Sequence, residues 1–132
     1  MNEAVIKHLE MIQSVITRMA SNSFMLKGWA VTIAAALFTL SAVGTNPLFF
    51  AAVFLPILLF WGLDSYYLMQ ERMFRVLYDY VRQQQHTDFS MKWDPQWASP
   101  RTKWVNCLLS VSEAAFYLPL AVLSILLMGI FL

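Results

Sequence analysis

The chain reads as an all-α membrane protein, with three transmembrane helices and cytoplasmic helical extensions. Three observations predict this class. No charged residue occurs from Gly28 to Leu63, a run of 36 positions. A second charge-free run, 19 residues long, extends from Ala114 to Leu132. All nine Lys and Arg lie before residue 28 or between residues 72 and 103. A membrane helix needs about 20 apolar residues. The first run therefore holds two spans joined at Gly44-Thr45-Asn46-Pro47, and the second is the bulk of a third.

Composition agrees. The chain is 59% hydrophobic and 13% charged, against about 25% charged in an ordinary soluble domain. Its 132 residues form a single membrane domain with no room for a separate enzymatic one. The net charge of +1 comes without a basic patch, so no nucleic acid is expected. Cys107 is the only cysteine, which excludes a disulfide framework and a thiolate metal site. His8 and His86 are isolated. There is no phosphate loop, nucleophile elbow or HExxH motif. No enzyme activity, metal or cofactor is expected. Nor is a secretory signal, because Glu3, Lys7, Glu10 and Arg18 interrupt the first 23 residues.

Taken in order, residues 1–22 form an amphipathic helix. Val5, Leu9, Ile12, Ile16 and Met19 mark its apolar face, at helical spacing. That face either packs on the protein or lies in the membrane surface. Span one is residues 24–43. Ser21-Asn22-Ser23 either caps a new helix there or sits inside a continuous one. Span two is residues 48–63, where Pro56 should cause a mild kink. Residues 64–84 continue as a cytoplasmic helix with Arg72, Arg75, Asp79 and Arg82 on its polar face. Residues 85–103 form a cytoplasmic loop, since Pro95 and Pro100 forbid a span. The loop is rich in aromatics from Asp88 to Trp97. It either tucks under the headgroups or docks a partner, with Arg72, Arg75, Arg82, Trp93 and Trp97 as the candidate surface. Span three is residues 104–132 and contains Pro119.

Positive residues stay on the cytoplasmic side. The N-terminus and residues 64–103 are therefore expected inside a bacterial cell membrane, with the 44–47 turn and the C-terminus outside. Trp29, Trp61 and Trp104 fall at the inner ends of the spans, where amphipathic rings favour the headgroup level. Folding the chain about the Thr45–Asn46 bond brings Lys27 level with Asp64, Arg18 near Glu71 and Glu10 near Arg82. Opposite charges then meet at three levels of a hairpin about 60 Å long. Lys27 and Asp64 form the expected boundary ion pair.

In span three, Asn106, Ser110, Glu113, Tyr117 and Ser124 share one helical face. Two readings stand. Either the face lines a conduit in an oligomer, or it packs inward against the hairpin with Glu113 at headgroup depth. Small residues also stripe span one, at Ala30 and Ala34 and at Ala35 and Thr39, which suits close helix approach.

The run from Arg18 to Trp29 (RMASNSFMLKGW) resembles a motif in a group of small bacterial multi-span membrane proteins. So do Phe60 to Leu68, Glu71 to Arg75, and Asp88 to Met91. In architecture the chain is also similar to two-span SLATT-type effectors of bacterial conflict systems, although its third span departs from that plan. The resemblance implies a membrane effector of antiviral defence. Such a protein would oligomerise and permeabilise the inner membrane, with a TIR-like or other cytoplasmic sensor as partner. The rival expectation is a non-conducting anchor that docks a soluble partner through residues 64–103.

Overall fold

The computed structural model describes residues 2–43 and 52–131. Among them the regular elements are all helical. The first helix, α1, runs unbroken from Glu3 to Ala42, 40 residues or about 60 Å. Asn2 caps it, its side-chain oxygen accepting from the amides of Ala4 (2.7 Å) and Val5 (3.3 Å). Ser21-Asn22-Ser23 thus lies inside one helix. The Ser23 hydroxyl bonds across to Asp64 instead of capping a new N-terminus.

The second helix, α2, is Phe54–Val81. It passes through Asp64 without interruption, so the expected second span and cytoplasmic helix are one element. The 44–47 turn and the start of span two lie outside the described residues. Pro56 falls in the first turn of α2, where its missing N–H has little effect.

α1 and α2 lie antiparallel, joined by two apolar clusters. At the N-terminal end of α1, Val5, Leu9, Ile12 and Ile16 meet Leu77 and Val81. Each fully buried aliphatic side chain there contributes about 1.5–3 kcal/mol. Nearer the other end, Ala30 and Ala34 meet Val53, Ile57 and Tyr117. The amphipathic face of residues 1–22 is thus covered by protein. The Ala30/Ala34 stripe is buried, whereas Ala35 and Thr39 are exposed.

After Val81 the chain turns back as a strap along the hairpin. Two 3-10 turns, Pro95–Trp97 and Pro100–Thr102, punctuate it. Asp94 caps the first by accepting from the Gln96 amide. A short helix α3, Trp104–Leu108, and a long helix α4, Val111–Phe131, follow. The expected third span is therefore broken at Leu109–Ser110. The Ser110 amide and hydroxyl both donate to the Cys107 carbonyl, at 3.2 and 2.7 Å. This local bonding competes with helix continuation.

Among the described residues, two helical stretches, Glu3–Leu40 and Val111–Ile130, are long and apolar enough to cross a membrane. Only 17% of the most apolar 18-residue window of each is buried. A core helix of a soluble protein would be mostly covered. Here a large apolar surface is left for lipid or another chain.

Candidate functional site: a buried ionic cluster

Three helices deliver the side chains of the cluster. On α1, Ser23 and Lys27 are one turn apart and face the same way. On α2, Asp64 ends the long charge-free run. On α4, Glu113 and Tyr117 are again one turn apart. The hairpin places Asp64 between Ser23 and Lys27, and α4 closes over it.

Asp64 is fully buried and accepts three hydrogen bonds. Ser23 donates to Oδ1. Lys27 Nζ donates to Oδ2 at 2.6 Å, and the Tyr117 hydroxyl donates to Oδ2 at 2.9 Å. Lys27 also reaches Ser23 Oγ at 3.0 Å and Glu113 Oε1 at 3.3 Å. Its ammonium lies 6.0 Å from the ring centroids of both Phe116 and Tyr117, a cation–π arrangement. Trp61 stacks on Tyr117 at 6.1 Å. Its indole N–H donates to the Leu108 carbonyl, which the break after α3 leaves without a helical partner. Trp104 similarly donates to the Gly62 carbonyl.

The two carboxylates are not equivalent. Asp64 is satisfied from three sides. Glu113, 1% exposed, holds Lys27 by Oε1 alone, and its Oε2 has no hydrogen-bond partner among the described residues. The Ser65 hydroxyl is likewise buried and unpartnered. One ammonium thus serves two buried carboxylates, and its shorter contact is to Asp64. Burying charges without full pairing is costly, so this centre is not a simple source of stability.

Ser23 and Lys27 present the atoms of a serine–lysine dyad. An ammonium paired with two carboxylates has no lone pair to take the serine proton, so the geometry does not make a nucleophile. No set of three or more His, Cys, Asp or Glu is placed to hold a metal among the described residues.

The expected conduit face is not one surface. Asn106 precedes the helix break and Ser110 lies in it; Asn106 is exposed and donates to the Pro100 carbonyl. Glu113, Tyr117 and Ser124 are buried against the hairpin, the inward of the two arrangements that the sequence allows. The Ser124 hydroxyl donates to the Leu120 carbonyl of its own helix.

The expected partner surface also divides. Arg72 turns inward, donating to the Arg101 carbonyl at 3.0 Å and contacting Cys107 Sγ at 3.7 Å. Arg75 and Arg82 stay exposed, paired with Glu71 and Asp79 on their own helix. These are not the cross-hairpin pairs expected, Arg18 with Glu71 and Glu10 with Arg82. Neighbours one turn away on the same helix are reached at lower entropic cost. Trp93 and Trp97 contact edge to face, and Trp97 lies against Tyr80, so these rings pack on the hairpin.

Two contributors escaped sequence reasoning. Ser23 is signalled only by its place four residues before Lys27. His8, isolated in the sequence, is 1% exposed. Its Nε2 donates to the Ser90 carbonyl at 2.8 Å, which leaves Nδ1 to the Thr87 hydroxyl. His8 thereby fastens the strap to α1. The signal was its position on the apolar face, three residues after Val5 and four before Ile12.

The fold and cluster define an all-helical protein with helices suited to a bilayer and a charged centre where three of them meet. Compared with protein-family models, curated proteins and solved structures, the chain has no match.

Proposed function

We propose that the chain is a multi-pass protein of a bacterial inner membrane that oligomerises and permeabilises it, as an effector of antiviral defence. In this reading three spans cross the bilayer: residues 24–43, residues 48–63, and α4. The N-terminus, the stalk formed by residues 3–22 and 64–84, and the strap lie inside, and the C-terminus lies outside. The observation that carries the reading is the Lys27–Asp64–Glu113–Tyr117 cluster. Charges buried at membrane depth are rare, and they commonly mark ion paths or moving parts. This one sits where the stalk meets the apolar helices, so a stalk displacement reaches it directly. In the closed protomer Glu113 is held by Lys27. Release of α4 from the hairpin would free Glu113 and Tyr117 to line a shared path between protomers. A cytoplasmic sensor, TIR-like by the sequence resemblance, is the proposed trigger.

The anchor reading draws on the exposed Arg75 and Arg82 of the stalk. A flux measurement separates the two. The protein is reconstituted in vesicles carrying a potassium gradient, with assembly checked by light scattering. The expected result is cation leak, enhanced in Tyr117→Phe and changed in selectivity in Glu113→Gln. Normal assembly without leak in any variant, with the partner present, sinks the effector reading in favour of the anchor. Orientation is tested in a Cys107→Ala background. Cysteine at Asn46 should react with an impermeant thiol reagent outside the cell and cysteine at Gln84 should not. The reverse pattern overturns the assignment.

A further inference from the structure

Beside the break between α3 and α4 lies an open groove of about 560 Å³. Arg72, Arg101, Asn106, Ser110 and Ser112 line it. Arg75 and Arg82 each have a carboxylate on their own helix, but among the described residues no carboxylate pairs with Arg72, Arg101 or the neighbouring Lys103. Arg101 and Lys103 are exposed. Arg72 supports the wall by holding the Arg101 carbonyl. The hydroxyls of Ser110 and Ser112, 3.5 Å apart, stand at the first turn of α4. The free backbone N–H groups of that turn add positive potential.

The groove also has a direction. Val111 forms part of its lining and is 84% exposed. Below Val111, Leu118, Val122 and Ile125 continue the same exposed face of α4. Cations without a carboxylate partner and the Ser112 hydroxyl thus stand directly above an apolar stripe. A soluble anion would use only the upper part of this arrangement.

We propose that the groove binds the phosphate headgroup of an anionic phospholipid, with its acyl chains lying along the Val111–Ile125 face of α4. The inference rests on α4 entering the membrane at Val111, as proposed above. Arg101 and Lys103 supply the charge, and Ser112 and Asn106 are the hydrogen-bonding rim. Fixing a lipid here would hold the α3–α4 break, and with it Glu113, at a constant depth.

The test uses the intact protein. Membranes are first washed with carbonate; loss of the protein from the pellet overturns the membrane reading itself. Protein that stays is extracted into detergent with phosphatidylglycerol or phosphatidylcholine, and retained lipid is counted by native mass spectrometry. Wild type should retain phosphatidylglycerol preferentially. Each of Arg101→Gln and Lys103→Gln should weaken retention about fivefold, and the pair about 25-fold. Arg75→Gln loses the same charge elsewhere and should retain lipid as wild type does. Equal retention by the paired variant and Arg75→Gln overturns the lipid site. So does inorganic phosphate that competes as well as the lipid, because the apolar stripe would then add nothing.

Discussion

Between residues 3 and 20, α1 meets α2 through aliphatic side chains and turns its charges outward. Between residues 23 and 42 the order is nearly reversed. There the charged groups Lys27, Asp64 and Glu113 face inward, with Ala30 and Ala34 beside them. The large apolar side chains Phe24, Trp29, Val31, Leu55, Leu58 and Leu59 face out. Among the described large hydrophobic residues, the exposed ones outside residues 23–43, the facing part of α2 and residues 104–130 are Ile6, Met11, Tyr66, Tyr80 and Phe89. In the membrane reading proposed above, the same pair of helices meets two surroundings. In water, aliphatic burial drives association. In hydrocarbon that drive is absent, and helices associate through small residues and polar contacts.

The comparison can be broken most forcefully at Lys27. Lys27→Met leaves two buried carboxylates without their shared cation. It should destabilise by about 3–5 kcal/mol, read as an early thermal transition in detergent. Adding Glu113→Gln should restore part of the loss. Strictly additive losses would mean that the two groups do not interact.

In the other half, Ile12→Ala opens a cavity between α1 and Leu77/Val81 and should cost about 2–5 kcal/mol. Hydrogen exchange should quicken over residues 3–20 while α4 stays protected. Uniform loss across both halves would show that the hairpin melts as one unit. A smaller effect is expected from His8→Ala, which removes both ties to the strap and should cost about 1–3 kcal/mol. Limited proteolysis within residues 86–94 should accelerate; unchanged cleavage would show that the aromatic contacts alone hold the strap. The smallest effect belongs to Arg75→Gln. An exposed i,i+4 pair contributes less than about 0.5 kcal/mol, so the melting curve should be nearly superimposable on wild type.

Much of the hairpin was legible because its signals are periodic or one-dimensional. The spacing of Val5, Leu9, Ile12 and Ile16 marks the face that α2 covers. Antiparallel folding about residues 45–46 brings Lys27 to Asp64, and their charged atoms lie 2.6 Å apart. The same register gives Arg18 and Glu10 no ion pair across the hairpin among the described residues. On an exposed surface, Glu71 and Arg82 find partners within their own helix. Register constrains charges strongly only where no solvent competes. The polar face of span three was also read along one helix. The Ser110 bonds to Cys107 divide that helix, and the divided pieces serve different ends.

By itself the sequence determined the helical class, the apolar segments and the faces that must be covered. These follow from composition and a period of 3.6 residues, properties of each segment alone. It also paired Lys27 with Asp64, because a tight antiparallel hairpin relates depth to residue number. Only the tertiary structure decided that Glu113 and Tyr117 join this pair, that Ser23 completes Asp64, and that His8 secures the strap. These contacts link residues 41 to 86 positions apart. They depend on how α4 and the strap return onto the hairpin. That return is set by the packing of three helices and one helix break, and no local pattern encodes it.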